Sequence, residues 1–274
     1  MNSSFNFLTP GFNTTQCQLT IFINNRGISF VVLNANIVCV ALAIYQFDTG
    51  TTTEQISQYL KNIVSEQSIL QQAFKKISFI YGFPESVLVP HQYFDVSTNK
   101  EMLELVYSDT SSSIIKTDFI IKNNLHNVYC IPKNIEVAIT YLFPVAYHCH
   151  IYSIIQNITQ TEDNLLYCII DATQIIVQVI KEGKLQLVQT FKYETPEDIS
   201  YYLLSVCESF NLQHLQTAIS INGIIDENGA VIKELQRYFP VQYGCLPKSL
   251  ILNDEIKRYP AHYFNYLFEL STCV

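Results

Sequence analysis

The residues with the clearest chemical potential form the triplet His148-Cys149-His150. Imidazole and thiolate groups are common zinc ligands, and alternation along a strand would place both imidazoles on one face. No further Cys, Asp or Glu stands nearby at metal-ligand spacing. We therefore expect a structural histidine pair rather than a zinc site, and we assign no metal ligand.

Two catalytic motifs are absent from the sequence. No G-x-S-x-G occurs, so a Ser/His/Asp hydrolase has no nucleophile to build on. No G-x-x-x-x-G-K-[ST] occurs either, which excludes a P-loop ATPase by its own motif. We assign no catalytic residue.

The remaining candidate residues lie in turns. Asp171 and Thr173 stand in the segment Asp171-Ala172-Thr173-Gln174, where they fit an Asx turn that closes a hairpin. Asn222-Gly223 follows an apolar run and fits a turn that ends a strand. Neither turn requires a ligand to explain its residue types.

These turns belong to two similar blocks. Residues 165–212 predict three strands and then a helix that begins at Thr195-Pro196, and residues from Gln18 onward predict the same order. The spacing between corresponding positions is 147 residues for Asn24 and Asp171, and 141 for Tyr81 and Asn222. Such a slow drift indicates an internal duplication with changes in loop length.

The composition limits the function classes. With 274 residues, 49% hydrophobic content and a mean hydropathy of +0.16, the chain can form two modest domains with large cores. A net charge of −8 opposes nucleic-acid binding. Eight cysteines without a C-x-x-C motif fit buried free thiols, so we expect a cytoplasmic protein.

One uncharged segment, Ile28 to Phe47, has the length of a membrane span. Asn34 and Asn36 lie at its centre, and β-branched residues flank them on both sides. This content favours two buried strands joined by a hairpin, so we expect no direct membrane insertion.

The polar segment 157–164 is our predicted domain boundary. The first domain would cover 1–160, with an inserted subdomain near 84–127 and a strand over 145–155. The second domain would cover 161–274 and end in a closing helix over 260–270, which is rich in Tyr and Phe. Core packing is the more frequent use of such a helix, and a partner surface is the alternative.

Two β-β-β-α-β-α halves in tandem resemble the fold of actin, sugar kinases and Hsp70-type chaperones. The helix PEDISYYLL with the strand before Asn222-Gly223 resembles the actin-like assembly proteins of type IV pili and type II secretion. LTIFINNRGISFVVL, SFIYGFPESVLVP and TPEDISYYLL are similar to the bacterial domain-of-unknown-function family 3822 over nearly the whole chain. That family is regarded as an actin-like ATPase relative without an assigned activity.

The resemblance implies an α/β, duplicated actin-like (ribonuclease H-like) fold, with two β-β-β-α-β-α domains facing a central cleft. In active members of this fold, two hairpin turns hold the nucleotide phosphates and an Asp lies near magnesium. Carried over, this makes Asp171, Thr173 and Gly223 the candidates for a nucleotide cleft.

The same resemblance shows three departures. The turn Asn24-Asn25-Arg26-Gly27 has no acid at its strand end, Ala172 stands where glycine is usual, and Gly223 stands alone where family members commonly have two glycines. We therefore expect degenerate nucleotide motifs, no cofactor, and a function through contacts with an unknown protein partner.

Three alternatives stay open. The first is an ATP-binding protein or slow ATPase that uses magnesium. The second is a component docked to a membrane assembly, and the third is a homo-oligomer.

Overall fold

The computed structural model describes residues 3–158 and 163–274. The chain separates into two compact units. The first contains Met1–Ile154, Ser249–Ile256 and Val274, and the second contains Ile155–Lys248 and Lys257–Cys273. The boundary near residue 160 stays a prediction.

The first unit contains a six-stranded sheet with helices on one face. The strand order is β1-β4-β3-β2-β5-β9, in which β2, β5 and β9 are parallel and β1, β4, β3 and β2 are antiparallel neighbours. Its elements are β1 (Ser3–Leu8), β2 (Gln18–Ile23), β3 (Gly27–Leu33), β4 (Cys39–Gln46), α1 (Thr53–Glu66), β5 (Lys76–Tyr81), α3 (Lys133–Leu142) and β9 (Tyr147–His150).

The order β2-β3-β4-α1-β5 confirms the β-β-β-α-β prediction for this half. The uncharged segment Ile28 to Phe47 forms most of β3 and β4, as predicted. Within the described ranges, no helix has both the length and the apolar character needed to cross a bilayer. The helix α1 begins with a reciprocal capping box between Thr52 and Gln55.

A second, antiparallel sheet lies between β5 and α3 in the chain. It has the order β6-β8-β7, and the helix α2 packs on one face around Leu103 and Val128. Its elements are β6 (Ser86–Pro90), α2 (Asn99–Tyr107), β7 (Ser113–Ile120) and β8 (Leu125–Pro132). We call β6, α2, β7 and β8 the inserted sheet.

The second unit repeats the plan of the first. Its five strands have the order β12-β11-β10-β13-β14, with β10, β13 and β14 parallel. The core packs α5 and α6 against one face of this sheet. The elements are β10 (Leu165–Ile170), β11 (Gln174–Lys181), β12 (Lys184–Lys192), α5 (Pro196–Ser209), β13 (Ala218–Asn222), α6 (Ala230–Leu235), β14 (Val241–Tyr243) and α7 (Asn265–Cys273).

Two local predictions need correction. The strand predicted over 145–155 is too long, because β9 covers only Tyr147–His150 and the helix α4 (Ile151–Ile158) follows at once. The closing helix α7 begins at Asn265 rather than at Pro260, and a 3-10 turn at Ala261–Tyr263 precedes it.

The start of α4 is fixed by contacts from elsewhere in the first unit. Asp118 of β7 accepts hydrogen bonds from the backbone N–H of His150 (2.8 Å) and from Ser153 Oγ (2.6 Å). His150 Nδ1 accepts from the Tyr152 N–H (3.2 Å), which fixes the proton on Nε2, and Nε2–H donates to the Phe83 carbonyl (2.9 Å). The neutral imidazole therefore acts as the helix cap.

An ion pair joins the inserted sheet to the rest of the first unit. Lys116 Nζ lies 2.5 Å from Glu136 Oε1, and the Tyr81 hydroxyl donates to Glu136 Oε2 at 2.6 Å. His148 Nδ1 lies 2.6 Å from the Tyr81 hydroxyl, so it must carry the proton that it donates there. Both histidines of the triplet thus have protein partners on different residues.

His150 generates a pH prediction. Burial lowers the pKa of His150 to about 4, against an ordinary value of 6.5. Between these values the unfolded chain binds a proton that the folded chain excludes, so stability falls as the pH falls from about 6.5 to 4. The loss due to His150 should total roughly 3 kcal/mol.

Urea unfolding from pH 7 to pH 4 measures this loss. His150→Asn keeps a cap acceptor but cannot take up a proton, so its stability should decline less steeply with acid than that of the wild type. Equal slopes for the two proteins would contradict the assignment.

Candidate functional site

The predicted site residues of the second unit lie together at one edge of its sheet. Asp171 follows β10 and Gly223 follows β13, and these strands are parallel neighbours with Ile169 opposite Asn222. The Ile170 carbonyl oxygen lies so close to Gly223 that a Cβ there would stand 2.1 Å from it. Carboxyl ends of neighbouring parallel strands are a frequent place for ligands in α/β folds.

The Asp171 turn is closed by its own side chain. Asp171 Oδ1 accepts hydrogen bonds from the N–H groups of Thr173 and Gln174, both at 3.0 Å, and the Asp171 N–H donates to the Gln174 carbonyl. Two backbone donors of the turn are therefore already bonded to a carboxylate. Thr173 lies in the turn and is half-buried.

The third strand of the block completes this turn. The Tyr193 N–H donates to the Thr173 carbonyl at 3.0 Å, and the Tyr193 hydroxyl donates to the Asp171 carbonyl. Burial, with the Asp171 charge as a second cause, raises the pKa of Tyr193 to about 12, so this hydroxyl keeps its proton. The turn is thus held by hydrogen bonds to the Asp171 side chain and by hydrogen bonds from the Tyr193 backbone and hydroxyl.

The corresponding turn of the first unit has the same hydrogen bonds. Asn24 Oδ1 accepts from the Arg26 N–H (2.7 Å) and the Gly27 N–H (2.9 Å), and the Asn24 N–H donates to the Gly27 carbonyl. The Phe47 N–H donates to the Arg26 carbonyl, as Tyr193 does to Thr173. An amide in one unit and a carboxylate in the other therefore perform the same structural role.

The edge beside Gly223 is covered by the C-terminal segment of its own unit. The Gly223 N–H donates to the His262 carbonyl at 2.8 Å, and Asn265 Nδ2 donates to Asn222 Oδ1 at 2.9 Å. Asn222, His262 and Asn265 are almost completely buried. We call the segment from His262 to Asn265 the C-terminal cover.

The His262 ring holds the cover in place. Its Nε2–H donates to the Ile225 carbonyl at 3.0 Å, and the ring packs on Tyr243 with 4.8 Å between centroids. One signal for this contact is visible in the sequence, because His262 and Asn265 are polar residues inside a Tyr- and Phe-rich segment. Sequence reasoning missed both residues. It aligned Asn24 with Asp171, but it did not predict that the Asn24 amide closes its turn with the same hydrogen bonds.

Over residues 3–158 and 163–274, no group of three or more His, Cys, Asp or Glu side chains could hold a metal ion. The described cysteines do not pair with one another, and six of the eight are buried.

The family model described as a protein of unknown function (DUF3822) matches residues 9–241. The chain belongs to this family. No curated protein matches the sequence.

Three solved structures show the fold. A Bacteroides thetaiotaomicron protein with actin-like ATPase fold and unknown function is 17% identical, with a TM-score of 0.77 over 95% of this chain and 97% of that one. A chain of the PilM-PilN type IV pilus biogenesis complex is 10% identical, with a TM-score of 0.63 over 95% of this chain and 98% of that one. The ethanolamine utilization protein EutJ from Carboxydothermus hydrogenoformans is 9% identical, with a TM-score of 0.54 over 98% of this chain and 93% of that one. These similarities confirm the predicted actin-like fold of this DUF3822 protein.

Gly223 generates a prediction because it has a positive φ of +111° and no room for a Cβ. Gly223→Ala should lower the free energy of unfolding by roughly 2–4 kcal/mol, since the methyl group would meet the Ile170 carbonyl. Gly50 is the matched control, with a φ of +84° and nothing within 4 Å of a Cβ. Gly50→Ala should cost only about 1 kcal/mol. Equal losses in urea unfolding would contradict the close approach.

Proposed function

We propose that this DUF3822 protein is a non-catalytic scaffold of actin-like fold, which acts in the cytoplasm through contacts with other proteins. The observation that carries the proposal is the C-terminal cover, because it takes the Gly223 N–H and the Asn222 side chain as partners. A nucleotide at this edge would have to displace the chain's own residues.

The turns support the same conclusion. Phosphate groups bind where several backbone N–H groups point at an empty space. Here Asn24 Oδ1 accepts hydrogen bonds from two backbone N–H groups of the first turn, and Asp171 Oδ1 accepts from two in the second. These four N–H groups are therefore not available to a phosphate. The Asp171 carboxylate also adds negative charge where a phosphate would need positive potential.

The similar structures favour a role in assemblies. One of them is a complex of PilM with PilN, so a protein of this fold has a protein partner there. By analogy of fold alone, we infer a protein partner for this chain, including one that belongs to a membrane assembly.

The second candidate function is an ATP-binding protein or slow ATPase. The position of Asp171 and Gly223 at the ends of neighbouring parallel strands favours it, because nucleotides bind there in many α/β folds. In that case Asp171 and Thr173 would hold magnesium and phosphate.

Calorimetry with millimolar Mg-ATP separates the two functions. The scaffold predicts no binding heat and an unchanged melting temperature in thermal denaturation with nucleotide. A ligand at one hundred times its Kd would add about 2.7 kcal/mol of stability, which thermal melting detects readily. Binding heat that Asp171→Asn abolishes would reject the scaffold in favour of the ATPase.

The Asp171 turn gives an independent prediction from stability alone. Asp171→Asn should leave stability within about 0.5 kcal/mol of the wild type, because Asn24 already closes the equivalent turn as an amide. Asp171→Ala removes the acceptor and should cost about 1–2 kcal/mol in urea unfolding. Equal losses for both variants would show that the charge, rather than the acceptor, holds the turn.

A further inference from the structure

The strand β7 (Ser113–Ile120) forms one edge of the inserted sheet. Its pairing with β8 shows which backbone groups face outward. The Lys133 N–H donates to the Ser112 carbonyl, so in this register the even-numbered residues of β7 exchange hydrogen bonds with β8. The N–H and C=O groups of Ile115, Thr117 and Phe119 therefore point away from the sheet.

These outward groups have no backbone partner in the part of the chain that the structure describes. The edge also lacks the usual protection, because β7 contains no proline and its register with β8 is continuous. Lys116 is bonded to Glu136 and so does not guard the edge. Phe119 is 49% exposed, and Ile121, which follows the strand, is 82% exposed.

The sequence of β7 is complementary to itself when two copies run antiparallel. With a two-fold axis at Thr117, Ile115 of each copy lies opposite Phe119 of the other, and Lys116 lies opposite Asp118. Thr117 pairs with Thr117 on the axis. Apolar and Thr–Thr pairs are cross-strand combinations that stabilise sheets. Lys116 and Asp118 add no new ion pair across the axis, because within each copy Lys116 is bonded to Glu136 and Asp118 accepts from Tyr129, His150 and Ser153.

The neighbouring registers are worse. Only registers that pair odd-numbered residues with odd-numbered residues use the outward groups. Moving the axis to Lys116 places Lys116 opposite Lys116, and moving it to Asp118 places Asp118 opposite Asp118. Like charges directly opposite one another destabilise a strand pair, so the register centred on Thr117 is the favoured one.

We propose that two copies of this chain associate along β7, with the two-fold axis at Thr117. The two inserted sheets then form one continuous six-stranded sheet. Ile115, Thr117 and Phe119 of each copy supply the backbone hydrogen bonds across the axis, and Phe119 becomes covered. An edge-to-edge contact of one strand per copy is small, so the dimer is reversible and depends on concentration.

Sedimentation velocity over a range of concentrations tests the dimer. The wild-type mass should rise from 31.5 kDa toward twice that value. Thr117→Pro removes the central N–H donor without touching a bond to β8, and it should remain a monomer. Thr117→Val is the matched control, because both variants lose the bond from Asn99 Nδ2 to Thr117 Oγ1, and Val keeps the N–H. A monomeric wild type, or a proline variant that associates normally, would overturn the proposal.

A crosslink tests the register without relying on the proline variant. In a Cys245→Ser background, which removes the exposed cysteine, Thr117→Cys places two thiols across the axis. The Cα atoms of such a hydrogen-bonded pair are about 5.5 Å apart, within reach of a disulfide. Mild oxidation should therefore give a covalent dimer.

Ser113→Cys in the same background is the control for the crosslink. The two copies of residue 113 would be eight residues apart along the strands, or about 26 Å, so they should not crosslink. Equal rates for the two variants, or no crosslink at residue 117, would overturn the proposed pairing.

Discussion

One side-chain oxygen at the end of a first strand organises each half of this protein. Asn24 Oδ1 and Asp171 Oδ1 each accept two backbone N–H groups and so close the hairpin that follows. The turn fixes the register of the two strands, and a slip of one residue would move every core side chain to the opposite face. The parallel pairing of β2 with β5, and of β10 with β13, is then built on strands whose faces are already set.

The two halves keep this hydrogen-bond pattern although their sequences differ. The acceptor is an amide in one half and a carboxylate in the other, and the residue that closes the turn from the third strand is Phe47 in one and Tyr193 in the other. Magnesium chemistry would distinguish an amide from a carboxylate, whereas a turn does not. The pattern shared by the halves is thus one that folding requires.

The sequence predicts features that neighbouring residues decide. The order of strands and helices along the chain, the helix start at Thr195 and the turn at Asp171 all depend on residues a few positions apart. The conformation of the segment after His150 is not decided by neighbouring residues, since its β-branched residues favour a strand. The segment forms a helix because Asp118, 32 residues earlier in the chain, accepts the His150 N–H. No local pattern contains that contact.

The candidate site was predictable to the same extent. The types of Asp171, Thr173 and Gly223 placed them in strand-end turns, and parallel pairing brings Asp171 and Gly223 to one edge. The C-terminal cover could not be predicted, because its polar groups have meaning only once Asn222 is buried. Buried amide and backbone groups require partners. Here Asn265 donates to Asn222 and the His262 carbonyl accepts from Gly223, so these two groups are bonded within the chain. The buried Asn265 Oδ1 and Gln174 Nε2 have no hydrogen-bond partner in the described structure, so the cover satisfies the strand end without satisfying every polar group beside it.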